Sequence, residues 1–304
     1  MPAISTRDLT KHYGTLKAVD GLSFEVAEGE VYALLGHNGA GKSTTVEILE
    51  GHRSRTAGDV TVLGRDPGTA GRDFRDRIGI VLQTSGVEHE LTVREAVGIY
   101  GSCYRTRRPV EEVVDLVGLT PQLGQRVGHL SGGQRRRLDL AMGIVGSPDL
   151  LFLDEPTTGF DPAARRQAWE LIRQLSADGA TVLLTTHYLD EAEHLADRVG
   201  VMVAGALVAE GTPEELIGRT GTTRVGFELP PDADPTDVGR LVSAPVGVAD
   251  GHVEFTTLTP TADLHALTSW ALDRGVELTA LSVTRPSLED VFLSLGAAPA
   301  AEVT

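Results

Sequence analysis

Residues 36–43 read Gly-His-Asn-Gly-Ala-Gly-Lys-Ser, a glycine-rich stretch that ends in a lysine and a hydroxyl. The spacing is G-x-x-x-x-G-K-[ST], and it suits phosphate. Glycines let the backbone curl, so that the N–H groups of a loop running from Gly36 through His37, Asn38, Gly39, Ala40 and Gly41 to Thr44 face phosphate oxygens. The positive end of the helix that follows adds to the attraction. Lys42 supplies a compact charge for β- and γ-phosphates, and the Ser43 hydroxyl can hold Mg²⁺. Only Lys11, Lys17 and Lys42 are lysines in a chain otherwise rich in arginine. Lysine is kept at position 42, where a branched guanidinium fits less well. Downstream, residues 150–155 read Leu-Leu-Phe-Leu-Asp-Glu, an apolar run that delivers two carboxylates. Asp154 can hold Mg²⁺ through water, and Glu155 can take a proton from an attacking water. Asp-Glu alone would read as an ordinary solvated strand end; the phosphate loop upstream weakens that reading.

These groups must be presented by the ends of strands. Val31–Leu35 is a short apolar run before the glycines, and Ser43–Glu50 has helical spacing through Val46, Ile48 and Leu49, giving strand, loop, helix. Leu150–Leu153 reads as a buried strand, with the acidic pair at the end where open α/β sheets hold ligands. Ile4–Leu9, Leu22–Val26, Val60–Leu63, Ile78–Leu82 and Thr181–Thr185 read as further strands, and Pro162–Leu175 and Leu189–Ala196 as helices. Residues 91–145 read as helical, with starts at Pro109 and Pro121. Alternation of this kind implies an α/β core on a mostly parallel sheet. The composition changes near Gly218. Beyond it the order is strand 223–229, short helix 237–242, strand 252–257, helix 261–274, strand 277–283 and helix 287–295, a small α+β domain. The tail Ala297–Thr304 reads as disordered.

Residues 130–134 read Leu-Ser-Gly-Gly-Gln, followed by Arg135, Arg136 and Arg137. By themselves they read equally as an anion-binding helix N-terminus or as a loop with a capping serine. In their place, between the phosphate loop and Leu-Leu-Phe-Leu-Asp-Glu-Pro-Thr, they resemble the signature of ABC (ATP-binding cassette) ATPases. The resemblance covers residues 1 to about 218. It implies a P-loop nucleotide-binding domain with a mixed-sheet core, an antiparallel β subdomain and a helical subdomain at about 84–145, followed by an accessory domain at 219–304. It also implies that Tyr13 stacks on adenine, that Gln83 contacts Mg²⁺ and senses a transport subunit, and that Asp161 lies on a loop crossing a dimer interface. His187 is implied to hold the γ-phosphate and to position water and Glu155. Two copies are implied to sandwich two ATP molecules head to tail, with Ser131, Gly132, Gly133 and Gln134 of one copy closing over the γ-phosphate on the other. A membrane permease is implied to dock near the helical subdomain, where Val87, Leu91, Tyr100 and Tyr104 are groove candidates but read better as core. The stretch Arg285–Leu293 and the segment Leu130–Arg166 resemble the daunorubicin-resistance-type exporter ATPases, which implies export of a hydrophobic or amphipathic compound.

The bulk numbers bound these readings. With 27 Lys and Arg against 43 Asp and Glu, the net charge is -16, which repels nucleic acid and anionic membrane. No run approaches the ~18 apolar residues of a membrane span, so the membrane part is expected on another chain. One cysteine, Cys103, fits a reducing compartment on the cytoplasmic side. A soluble ABC ATPase acting on ribosome or DNA is the alternative; one cassette, no heptad insertion and the acidic balance weigh against it. A bare nucleotide sensor would not need Glu155 and His187. Residues 219–304 carry no phosphate loop and no metal cluster. They are expected to stabilise the dimer or the docking of the permease, with the Leu288, Val291 and Phe292 face buried outside a domain that has little core of its own.

Overall fold

The computed structural model describes residues 1–82, 86–218, 221–230, 235–249, 251–284 and 287–297. Alternating apolar residues start the chain on two long strands, β1 (Pro2–Tyr13) and β2 (Leu16–Ala27), paired antiparallel across a turn at Gly14. Leu22, Phe24 and Val26 are buried while Ser23 and Glu25 between them are exposed, the period-2 pattern of a one-sided sheet. Both strands run further than the sequence pattern suggests, because Lys11–Tyr13 and Leu16–Val19 continue the ladder up to the turn. Phe24 stacks on Tyr32 of β3 (Val31–Gly36), ring centroids 5.2 Å apart. The chain then forms α1 (Lys42–Leu49), β4 (Ala57–Val62), which pairs with the other edge of β1, a single turn α2 (Arg72–Arg75) and β5 (Ile78–Val81).

A helical segment follows: α3 (Val93–Ser102), α4 (Val110–Leu116) and α5 (Gly132–Ile144). Pro109 caps α4 as the sequence suggests, but Pro121 opens only a three-residue 3-10 turn, Thr120–Gln122. Gly118, with φ 66°, and Gly124 bracket too short a stretch for an α-helix. The core resumes with β6 (Leu150–Asp154), α6 (Pro162–Ala177), β7 (Thr181–Thr186), α7 (Leu189–Leu195), β8 (Arg198–Val203) and β9 (Ala206–Gly211). These strands make a six-stranded sheet in the order β5-β6-β7-β3-β8-β9, parallel except for the β8–β9 hairpin. Every residue of β3 and β7 is buried, as parallel strands covered on both faces require. The fold is therefore the α/β mixed sheet with an antiparallel subdomain and a helical subdomain that the sequence implies.

The chain divides into two compact units, Met1–Pro213 and Glu214–Thr304, ahead of the composition change at Gly218. After α8 (Pro213–Gly218), the second unit contains β10 (Thr223–Glu228), α9 (Pro235–Leu241), β11 (Val246–Ala249), β12 (His252–Thr257), α10 (Pro260–Arg274), β13 (Thr279–Thr284) and α11 (Leu288–Ala297). Its sheet is antiparallel in the order β11-β12-β10-β13. Contrary to expectation, this unit has its own core: Val225, Phe227, Leu229, Val238, Val242, Val253, Phe255 and Leu267 pack together. The inward alternation of β10 and β12 supplies four of the eight. Leu288, Val291 and Phe292 are buried, and Arg224 pairs with Asp290 of the same helix. Of the expected tail, residues 298–304 lie outside the described residues, as do Arg285 and Pro286.

Candidate functional site

β3 ends at Gly36 and the loop turns into α1 at Lys42. Glycine is demanded twice. At Gly36 a Cβ would lie 2.7 Å from Met202 O; at Gly41, where φ is 102°, it would lie 2.2 Å from Ala18 O. The loop thus runs flush against β8 at Met202 and against the start of β2 at Ala18. Lys42 is 7% exposed and folds back, donating from Nζ to Gly36 O at 2.7 Å and His37 O at 3.2 Å. Burial lowers its pKa, opposed by the charges of Glu155 and Asp154. Its cradle of two neutral carbonyls is one that phosphate oxygens can replace.

β6 brings Asp154 and Glu155 to the same end of the sheet. The Asp154 carboxylate accepts from the Thr185 hydroxyl, and the Glu155 N–H donates to Thr185 O at 3.0 Å. Glu155 sits at φ 49°, the left-handed region that non-glycine residues rarely occupy. Its Oε1 lies 2.9 Å from His187 Nδ1, and Oε2 accepts from Thr158 Oγ1 at 3.3 Å. Tyr13, Asn38, Gly39, Gly41, Lys42, Ser43, Thr44, Asp154, Glu155 and His187 line one open cleft of about 740 Å³. Tyr13 is 40% exposed at its rim, with Lys11 Nζ 5.1 Å and the Arg53 guanidinium 5.5 Å from the ring centroid. Among the described residues no group of three or more His, Cys, Asp or Glu could hold a metal unaided. Ser43 and Asp154 offer oxygen donors on one cleft, the chemistry that suits Mg²⁺ with phosphate and water as the remaining ligands. The residues present therefore fit that ion.

The other predicted residues stand apart. Ser131 is the N-cap of α5: its Oγ accepts from Gln134 N at 3.3 Å and Gln134 Oε1 accepts from Ser131 N at 2.9 Å. The open choice resolves into a true helix N-terminus carrying a capping box. Ser131, Gly132, Gly133 and Gln134 do not line the cleft. Asp161 caps α6, accepting from Ala163 N and Ala164 N at 2.9 Å each. Gln83 lies outside the described residues. Of the groove candidates, Val87 is buried, Leu91 and Tyr104 half-buried and Tyr100 exposed; Tyr104 packs its ring on Gly146.

Three residues near the cleft carry no motif signal. Thr185 anchors both carboxylate positions. Glu191, fully buried on α7, accepts from Thr157 Oγ1 at 2.8 Å and Trp169 Nε1 at 3.2 Å, and burial raises its pKa. Arg136, the middle arginine of a run of three, is buried against the backbone of 154–156. Only their burial marks these polar side chains, and burial is not readable from their spacing.

The phosphate-loop helix ends on a further buried carboxyl. Glu50 is 5% exposed, and its pKa is pushed up to about 8, first by burial, then by Asp154 and Glu47. A carboxyl raised from an ordinary 4.5 favours the folded state only while protonated. Its contribution is whole below about 4.5 and is lost as pH climbs through about 8. Glu50→Gln should therefore gain stability over the parent at about pH 9 relative to about pH 5, by a few kcal/mol and at most roughly 5. Urea unfolding of both proteins at the two pH values measures the difference. A gap no larger at the higher pH would show that Glu50 ionises freely in the fold.

Comparison with known proteins follows the same division of the chain. The ABC transporter family model matches residues 19–158, and the model for an ABC transporter domain-containing protein-like C-terminal domain matches 223–287. A daunorubicin resistance ATP-binding protein of Streptomyces coeruleorubidus is 40% identical over 96% of this chain and 94% of its own. The Nod factor export ATP-binding protein I of Rhizobium meliloti (strain 1021) is 40% identical over 96% and 88%. Among solved structures, an ATP-binding subunit of an ABC transporter superposes with a TM-score of 0.66 at 27% identity, over 72% of this chain and 93% of that one. An ATP-binding cassette in its ADP conformation gives 0.64 at 27%, over 71% and 92%.

Proposed function

The chain belongs to the ABC transporter ATP-binding proteins and is an ATP hydrolase of that type; from that premise we propose that it powers export of a hydrophobic or amphipathic compound. In this reading it works as a head-to-tail homodimer docked to a separate permease on the cytoplasmic face of the membrane. The observation that carries the reading is the convergence of Lys42, Ser43, Asp154, Glu155 and His187 on one cleft. Export is supported by likeness, over nearly the whole chain, to proteins named for drug resistance and Nod factor export. Among the described residues no helix is long and apolar enough to cross a membrane, so the cargo path is assigned to another chain.

Each side chain then has a task. Tyr13 stacks on adenine at the rim. The loop N–H groups and Lys42 take the phosphates, with Lys42 giving up the carbonyls of Gly36 and His37. Ser43, Asp154 and Gln83 would hold Mg²⁺, which would supply charge neutralisation on the phosphates. Glu155 takes the proton from the attacking water, and His187 holds the γ-phosphate and fixes the orientation of Glu155. The signature residues Ser131–Gln134 of the second copy close over the γ-phosphate, with Asp161 at the junction. Residues 219–304 are accessory: they support assembly and bind no nucleotide.

Equilibrium titration tests the assignment. Tyr13→Ala should weaken ATP about tenfold by loss of stacking, with tripolyphosphate binding unchanged. A chain ending at Gly218 should bind ATP as the full chain does but dimerise or hold its permease less well. Equal weakening of both ligands by Tyr13→Ala would remove the stacking role. A folded truncation that cannot bind ATP would remove the accessory role.

A further inference from the structure

Arg136 lies one turn into α5, the helix that Ser131 caps, yet its side chain is only 8% exposed. Every nitrogen of its guanidinium meets a main-chain carbonyl. Nε donates to Pro156 O at 3.1 Å, Nη2 to Asp154 O at 2.5 Å and Glu155 O at 2.8 Å, and Nη1 to Leu82 O. The nearest carboxylate on its own helix, Asp139, is 3.9 Å away. Burial lowers its pKa; Asp139, Asp154, Glu191 and Glu155 work against that. Four carbonyls on two separate chain segments, Leu82 and Asp154–Pro156, are thus gathered by one planar fork, a task lysine cannot reproduce.

What it gathers matters. Leu82 precedes Gln83 in the sequence. Glu155 holds a left-handed backbone, a conformation that persists only where its surroundings impose it. Thr185 fixes the Glu155 N–H, and Arg136 fixes its carbonyl. Together they set the direction in which the carboxylate leaves the chain toward His187. We propose that Arg136 is a positioning residue for hydrolysis: it clamps the backbone of Asp154, Glu155 and Pro156 from the signature helix, so that the aim of the base follows the position of that helix. The inference rests on Glu155 being the base, and it assigns the signature helix a second task besides capping the nucleotide on the other copy.

The test uses the full chain with Arg136→Met, Arg136→Lys, Glu155→Gln and the double variant Arg136→Met/Glu155→Gln. Thermal unfolding, ATP Kd, KM and kcat are measured for each. Arg136→Met should unfold cooperatively and bind ATP within about threefold of the parent. Its kcat should fall about a hundredfold, as expected for a base displaced by an ångström, with KM little changed. Arg136→Lys should recover part of kcat. In the Glu155→Gln background the Met substitution should add no further loss. A kcat for folded Arg136→Met within about threefold of the parent would overturn the proposal while Glu155→Gln remains dead. So would a Kd that worsens in step with kcat, or Met and Lys variants that both fail to fold, since either result marks a purely structural clamp. Full turnover in Glu155→Gln would instead overturn the base assignment.

Discussion

Glu155→Gln will bind ATP and scarcely hydrolyse it, with kcat lowered on the order of a hundredfold or more. The expectation follows from what the substitution spares. Glutamine has the shape of glutamate; its oxygen can keep the contact with His187 Nδ1 at 2.9 Å, and its amide nitrogen, in place of Oε2, can donate to the Thr158 hydroxyl. The left-handed backbone at position 155 is held through its N–H by Thr185 and through its carbonyl by Arg136, main-chain bonds that the substitution leaves in place. Fold and phosphate loop therefore stay as they are, and Lys42 loses only one of the two acidic neighbours that favour its charge. The missing function is acceptance of a proton. Because the γ-phosphate is not removed, the variant should elute as a dimer in ATP and as a monomer without it. Steady-state turnover and size-exclusion chromatography measure the two effects. Turnover close to that of the parent would take the base role from Glu155.

The contrast between Lys42 and Arg136 shows what a sequence can disclose. Lys42 was legible because its partners are contiguous: the strand, the glycines and the helix that shape the loop are all within about ten residues, and steric necessity fixes the residue types. Asp154 and Glu155 were legible because an apolar run must end at a sheet edge. Arg136 was not. Its acceptors are backbone carbonyls 18 to 54 positions away, and carbonyls leave no mark on residue type. Nor could periodicity single it out of Arg135-Arg136-Arg137, because most of α5 from Leu138 onward is buried regardless of face. The second unit failed differently. Val225, Phe227 and Leu229 alternate as an inward strand face should, but β11 is four residues containing a glycine, too short to announce itself. Without that strand the unit looked too small to enclose a core.

The remaining expectation concerns a site that no one chain completes. Ser131 is exposed, occupied in capping α5, and absent from the cleft that holds Lys42 and Glu155. If it contacts the γ-phosphate, it must do so from another copy, and each dimer then has two sites built from Lys42 of one chain and Ser131 of the other. Lys42→Ala should abolish hydrolysis by removing the buried ammonium. Ser131→Arg should abolish it by placing a bulky cation at the positive end of α5, where the helix dipole disfavours it. Loss of the cap itself costs about 1 kcal/mol, too little to unfold the chain. A heterodimer of the two variants has one site with both defects and one with neither. Random pairing makes half the dimers mixed, so an equimolar mixture should recover up to roughly a quarter of parental activity from two inactive proteins. Differently tagged chains allow the heterodimer to be isolated and assayed. Heterodimers that form and remain inactive would mean that the signature does not act across the interface, and the head-to-tail arrangement would have to be given up.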